Sequence, residues 1–557
     1  MVFHSKFPGV ARPTQDVFNY IFSRRGNYPA DKIMYKTDSG NRTLTLAELE
    51  HKSRQLATTL VEKYGIKPQD TVSILATDCI LYPVFYLSIL AAGAVVELIP
   101  LQKELGLGDV TARMEQAEAK VLITDPTYLS MGNQAAAKVG AKVLVPETEP
   151  ELFHDSVKEY HDFKIDDEET SGNTIAFLNR TSGSTGGKMK SVITTHAHFI
   201  AIMEATLYTI PANTDPEKDV WCSSLSLGFF INAKLHIGLN ILLGIPVVLM
   251  DSPFGPDNMD IIERHGITFL FIPPPVAASL AKHDDSEKEV DVSSMKWMLS
   301  AGAAVNPNLA ASTAKRLNGV HLDSEWGTTE TLLIAIQMEG HDSPKGTAGK
   351  LVNGIEAKVL DTTTGEELGP NDEGEIWIRN HACEFRGYHN NDEANASTFD
   401  KDGWFISGDF GHIDEDNNVY IADRMKELIR VGGGYGVHIA APELENVLFE
   451  HPAVSQVIVT GVPDEKAGEE YPTAFVILKA DWEDKIDMAL VSLTKLANQK
   501  LTGLQKLTGG FVFMPKFPQI SFKINRRAMK LMAVEENNKR EAANVKDAGL
   551  PRYIEVA

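Results

Sequence analysis

Thr181-Ser-Gly-Ser-Thr-Gly-Gly187 follows the apolar run Thr174-Ile-Ala-Phe-Leu178, and Lys188 and Lys190 come directly after it. Gly183 and Gly186 lack a Cβ, so backbone N–H groups there can converge on an anion. The hydroxyls of Thr181, Ser182, Ser184 and Thr185 add donors around the same oxygens. The two lysines offer compact positive charge. An apolar strand running into such a loop suits a polyphosphate ligand, although a Ser/Gly-rich run also reads as a flexible connection. Neither Gly-x4-Gly-Lys-Ser/Thr nor Gly-x-Gly-x-x-Gly at the head of a βαβ unit is matched, so the two commonest phosphate fingerprints do not apply.

Downstream segments add complementary chemistry in a definite order. Ser300-Ala-Gly-Ala-Ala304 is a run of small residues that lets a flat group approach the backbone, or else a tight strand-to-helix connection. Asp323-Ser-Glu-Trp-Gly-Thr-Thr-Glu330 combines an aromatic, hydroxyls and a carboxylate, a hard oxygen ligand for a hydrated cation. A Glu after two Thr also serves as a helix cap. Asp402-Gly-Trp-Phe-Ile-Ser-Gly-Asp409 precedes a turn at Asp414-Glu-Asp-Asn-Asn418 and then Asp423-Arg-Met-Lys-Glu427. Near the C-terminus stands Phe517-Pro-Gln-Ile-Ser-Phe-Lys-Ile-Asn-Arg526; its Lys523 and Arg526, with Lys530, also read as a basic stripe on a solvated face.

In this order the segments resemble the signatures of the adenylate-forming superfamily, which includes acyl-CoA synthetases and coumarate-CoA ligases. The resemblance runs from the helix-rich opening through residue 530. It implies that Thr181, Ser182, Gly183, Ser184, Thr185, Gly186 and Lys188 or Lys190 handle the phosphates of ATP. The usual proline of the loop is missing, and Thr195-His196 comes one residue late, which leaves the two lysines undecided. Ala301, Gly302 and Ala303 would form the adenine-side turn, with Trp326 as the aromatic against the base and Gly327, Thr328 and Thr329 lining the phosphate side. Glu330 would hold Mg²⁺, Asp409 and Arg424 the ribose, and Lys523 the carboxylate and α-phosphate. Lys426 would be the hinge of a small C-terminal domain. Gly433, in Arg430-Val-Gly-Gly-Gly-Tyr-Gly-Val437, would meet the acyl-adenylate and the acceptor thiol. Ser300, Phe229, Phe230 and Asn232 are candidates for the acid pocket, and the last three equally for core packing behind it.

The resemblance implies an acyl-CoA ligase that uses ATP, Mg²⁺ and CoA on an aromatic or medium-chain carboxylic acid. Transfer to a carrier-protein thiol or an amine is the alternative; a relative that only binds ligand is another, prompted by the missing proline and by Phe522 in place of glycine.

Composition agrees. With 557 residues, 43% apolar and 23% charged, the chain is long enough for at least two domains of an ordinary globular protein. A net charge of −23 disfavours a nucleic-acid partner. Cys79, Cys222 and Cys383 are too few and too scattered for a disulfide framework, and the opening residues carry no signal-peptide pattern, so the cytoplasm is expected. The apolar stretches 82–100 and 235–250 are broken by Pro, Gly and Glu97 and fall short of a membrane span. They read as buried helix, turn and strand, which predicts an α/β body of parallel sheets flanked by helices. Helices are expected at 45–64, 112–119, 197–207 and 259–265, and a β-rich lobe after about residue 340. A mobile α+β domain is expected beyond the hinge, dividing the chain into residues 1–423 and 424–557.

Overall fold

The computed structural model describes all residues except 103–104, 182–188, 283–289, 303–304, 306, 339–343, 345, 383, 432–436, 465–468, 521–522, 543–551 and 554–557. Two largely parallel sheets form the body. The first is ordered Lys142–Leu144, Val121–Thr124, Thr71–Leu75, Val95–Leu98, Ile175–Arg180, Ser191–Thr195, and only the last pair is antiparallel. Its inner strands are buried at every position, as expected where helices cover both faces. The second sheet has a parallel centre made of Leu322–Trp326, Trp297–Ala301, Phe269–Phe271, Trp221–Cys222, Val247–Leu249 and Ile33–Thr37, with antiparallel strands at its edges.

The β-rich lobe is an antiparallel sheet ordered Val2–His4, Ile355–Leu360, Gly374–Asn380, Phe405–Ile413 and Val419–Arg424. One continuous core joins it to both parallel sheets, running from Val72 and Phe177 through Trp221 to Ile376 and Val419. The residues beyond the lobe have a core of their own, including Ile429, Leu444, Val459, Val476, Leu493 and Phe513. There Val454–Asp464 pairs antiparallel with Glu469–Leu478, and Ala441–Phe449 and Ile486–Lys500 are helices.

Element boundaries depart from the sequence pattern where a local hydrogen bond overrides it. The helix expected at 112–119 is Leu107–Gln116. It starts earlier because the Asp109 carboxylate accepts the Gly106 N–H at 3.0 Å, an acidic first-turn cap, and stops because Glu118 has φ 53°. The buried helix expected at 235–243 is π-helical over Ala233–Leu239 and α-helical over Asn240–Leu243, ending at Gly244 in the left-handed region. Among the described residues no helix is long and apolar enough to cross a membrane.

Candidate active site

The strand Leu322–Trp326 of the second sheet ends against the antiparallel lobe, where Trp326 meets Asp409, and several candidate residues gather at this junction. Asp409 lies in Phe405–Ile413, directly opposite Arg424 of Val419–Arg424. Gly408, with φ 69°, turns the strand just ahead of it, a conformation that a side chain would strain. The Asp409 carboxylate takes the Arg424 Nε at 2.6 Å and the Trp326 indole N–H at 2.9 Å. Burial raises its pKa, while the Arg424 charge and the indole bond oppose the rise. Trp326 is thus held by its indole N–H on the same carboxylate for which the family resemblance implies a ribose contact.

Trp326 ends its strand and a tight turn follows. The backbone passes so close to itself that a Cβ on Gly327 would lie 2.0 Å from the Leu332 carbonyl oxygen, so only glycine fits. Thr328 spends its hydroxyl inside the turn: it accepts from the Thr331 N–H at 3.1 Å and lies 3.0 Å from the Thr331 hydroxyl. The apex, Thr329 and Glu330, is half-exposed. Glu330 Oε1 accepts from the Tyr388 hydroxyl at 2.8 Å, and the Lys190 ammonium sits 4.3 Å above the same Tyr388 ring. Tyr388 was not singled out by sequence; its only local mark is Gly387, with φ 93°, in Arg386-Gly-Tyr388.

The two flanks of the Ser/Gly-rich run are tied together. Thr181 N–H donates to the Lys190 carbonyl at 3.1 Å, and Lys190 N–H returns to the Thr181 hydroxyl at 3.2 Å. Helix Leu107–Gln116 holds both flanks: its Ala112 and Arg113 carbonyls accept from Arg180, and Gln116 donates to the Met189 carbonyl. Arg180 is enclosed with Glu97, 3.7 Å away, and burial lowers the one pKa and raises the other. Ser182, Gly183, Ser184, Thr185, Gly186 and Lys188 lie outside the described residues, as do Ala303 and Gly433.

Of the acid-pocket candidates, Phe230 packs on Phe177 and Phe199, with ring centroids 5.2 and 5.8 Å away. Asn232 is fully buried; its amide donates to the Leu225 and Ser226 carbonyls, and its oxygen meets His236 Nδ1 at 2.7 Å. Phe229 is a half-buried neighbour of the main core. Ser300 is fully buried, and its hydroxyl has no partner among the described residues. Segment 226–228 is held by Asp78, whose carboxylate accepts the Leu227 N–H at 2.8 Å. Burial pushes the Asp78 carboxyl up to about 7. A carboxyl with a higher pKa folded than unfolded keeps its proton preferentially in the folded state. Its contribution to stability is therefore complete below the unfolded value of about 4 and is lost as the pH rises through about 7. Asp78→Asn should remove that part of the decline, visible as a flatter melting temperature against pH over this range.

A family model described as AMP-binding enzyme matches residues 22–389, and one described as AMP-binding enzyme C-terminal domain matches residues 443–521. The chain belongs to the AMP-binding enzyme family. It is an adenylate-forming enzyme of the acyl-CoA synthetase type, an acid–thiol ligase. Peroxisomal OPC-8:0-CoA ligase 1 of Arabidopsis thaliana is 30% identical to it, covering 86% of this chain and 87% of that protein. 4-Coumarate–CoA ligase 2 of Nicotiana tabacum is 28% identical over 86% and 88%. Its fold is shared with ATP-bound MatB from Rhodopseudomonas palustris, at a TM-score of 0.79 and 24% identity over 93% of this chain and 98% of that one.

In the C-terminal region of this AMP-binding enzyme, strands Gln519–Ile520 and Lys523–Ile524 form a hairpin in which Ile520 pairs with Lys523. Arg526 follows at the head of helix Arg526–Ala542. It is not part of a solvated basic stripe: Nη2 meets Glu445 Oε1 at 3.0 Å and Nη1 donates to the Val459 carbonyl at 2.5 Å. Lys530 pairs with Glu470 at 3.4 Å, and Glu470 also accepts the Arg430 N–H where the glycine loop begins. Lys426 stands exposed beside Arg424. Desolvation, then the Arg424 charge, lowers its pKa, while Asp409 and Glu330 pull the other way.

Proposed function

We propose that this enzyme condenses a carboxylic acid with ATP, releases pyrophosphate, and passes the acyl group from the adenylate to the CoA thiol, with the residues above in the roles their chemistry suits. The observation that carries the reading is the junction cluster: Asp409 joined to Arg424 and Trp326, with Glu330 and Lys190 meeting on Tyr388. Asp409 accepts from the ribose hydroxyls, Trp326 borders the base, and Lys190 lies where it can meet the phosphate tail. The acid arrives ionised at neutral pH, so no general base is required. Orientation and fixed charge do most of the work.

Mg²⁺ fits one carboxylate better than an all-protein cage. Among the described residues no group of three or more His, Cys, Asp or Glu could hold a metal, whereas Glu330 stands half-exposed where phosphates would complete the coordination. Bound there, the ion would offset charge on the leaving pyrophosphate.

The test is carboxylate-dependent exchange of pyrophosphate into ATP across a panel of acids, followed by an acceptor screen with CoA, a phosphopantetheine carrier protein and amines. Exchange that requires CoA from the start would exclude the two-step scheme, and transfer only to a carrier protein or an amine would replace CoA as acceptor. Cytoplasmic placement is part of the same proposal, tested by fractionation.

Within this reading Lys190, not Lys188, takes the β- and γ-phosphates, supported by its position over Tyr388 beside Glu330. Lys190→Ala should raise the KM for ATP about tenfold, the loss of one charge contact of roughly 1.4 kcal/mol, against a small change for Lys188→Ala. Equal effects on steady-state KM would refute the assignment.

Residues 1–423 and 424–557 are proposed as the two bodies that alternate between half-reactions about Lys426. The turn there is held by the N–H groups of Met425, Glu427 and Leu428; Lys426→Pro removes none of these donors but fixes φ near −65° and restricts Met425 before it. Pyrophosphate exchange should persist and transfer to CoA should fall at least tenfold. Retention of both in a folded variant would remove the hinge.

A further inference from the structure

Lys234 and Glu325 form an ion pair inside the protein. The Lys234 ammonium gives hydrogen bonds of 2.7 and 2.6 Å to the two Glu325 oxygens, and the side chains are only 5% and 2% exposed. Such a pair is a poor stabilising device, because desolvation of both charges cancels most of their attraction and apolar replacements of similar volume usually do as well. Its presence therefore asks for a reason other than stability.

Its position supplies one. Glu325 is the register partner of Ala301 and the residue before Trp326, so it lies at the level where the candidate nucleotide residues begin. Trp297, Leu299 and Ala301 pack into the main core, and Asp323, two residues before Glu325, accepts from Trp297; this is the sheet face on which Glu325 lies. Segment 229–240 crosses the same face, with the His236 ring against Trp221 and Phe269. Lys234 falls within its π-helical stretch, a distortion frequent at functional sites. Phe230, four residues earlier, packs on Phe177 and Phe199. The ion pair therefore ties the segment bearing the acid-pocket candidates Phe229, Phe230 and Asn232 to the strand that ends at Trp326, beside Ala301.

We propose that the Lys234–Glu325 pair is a specificity-determining contact of the acid site that reads a neutral hydroxyl at the far end of the carboxylic acid, alcohol or phenol. The inference rests on the acid-activating reading above. A hydroxyl can donate to the Glu325 carboxylate and accept from the Lys234 ammonium at once. A second carboxylate would face Glu325 and an amine would face Lys234, each a like-charge contact in a poorly solvated place. An unsubstituted tail would bury the pair further without giving it a partner.

The experiment compares matched acids in pyrophosphate exchange: octanoate with 8-hydroxyoctanoate, and 3-phenylpropanoate with its 4-hydroxyphenyl analogue. The wild-type enzyme should favour the hydroxylated member of at least one pair by about tenfold or more in kcat/KM, a floor below the roughly 10⁴–10⁵ of sites whose polar groups are otherwise left unpaired, because Lys234 and Glu325 already satisfy each other. Lys234→Met combined with Glu325→Leu should abolish or reverse that preference, read as the ratio of kcat/KM for the two acids of a pair. If that variant does not fold, Lys234→Gln with Glu325→Gln keeps the shape and a neutral hydrogen bond, and the same loss of preference is expected. Preference for the unsubstituted acids in the wild type, or an unchanged hydroxyl preference in the double variant, would overturn the proposal and leave the pair a structural strut. Exchange with no acid at all would instead sink the acid-activating reading, and this inference with it.

Discussion

Lys523→Ala should slow acid-dependent pyrophosphate exchange by roughly 10² or more, the effect of removing one charge contact made mainly in the transition state. The lysine lies on a two-strand hairpin at the head of the last long helix, paired through its backbone with Ile520. In the family resemblance it reaches the carboxylate and the α-phosphate, where negative charge gathers as the acyl–phosphate bond forms. Supplied with preformed acyl-adenylate, the variant should still transfer to CoA at a near-normal rate, because the second half-reaction does not use that contact. An adenylation rate close to wild type would return Lys523 to a solvent-facing role. A parallel fall in both half-reactions would show that the hairpin as a whole had been lost.

Arg526→Ala should lower the stability of the C-terminal unit by about 1–2 kcal/mol, between the costs of breaking an exposed and a fully buried ion pair, because both side chains are half-buried. Glu445 would lose its guanidinium; burial already raises its carboxyl pKa, and Arg526 is the main opposing influence. The Val459 carbonyl would lose a donor as well. Chemical denaturation should show an early transition for this unit ahead of the main one, since its core is separate from that of the body. Glu445→Gln together with Arg526→Met should recover much of the loss by removing both charges. A single unshifted transition for Arg526→Ala would mean that the pair contributes nothing. The prediction separates the two basic residues of one motif: Lys523 is expected to act on the reaction, Arg526 on the fold that presents it.

The C-terminal motif also shows how far local pattern can be read. Arg526 looks like part of a basic stripe because Lys523, Arg526 and Lys530 are spaced as on one helix face. The chain instead breaks between strand and helix at this point, and carboxylates from Glu445 and Glu470, far away in sequence, meet the second and third members. A charge's partner is a long-range fact, and a one-dimensional pattern does not contain it.

By itself the sequence determined the family, the parallel α/β body with its β-rich lobe, and the order of the site motifs. These depend on local causes: apolar runs that must be covered on both faces, and glycine, hydroxyl and carboxylate residues whose backbone and side-chain chemistry is legible at short range. Asp409 and Arg424 were legible because a hairpin turn of ordinary length brings them together. Only the tertiary structure decided that Tyr388 joins Glu330 to Lys190, that helix Leu107–Gln116 holds Arg180 and Met189 on the two flanks of the Ser/Gly-rich run, and that Lys234 and Glu325 meet from two different elements. Each of these contacts links residues on different elements, and hydrogen bonds and ion pairs act over a few ångströms of space whatever the separation along the chain.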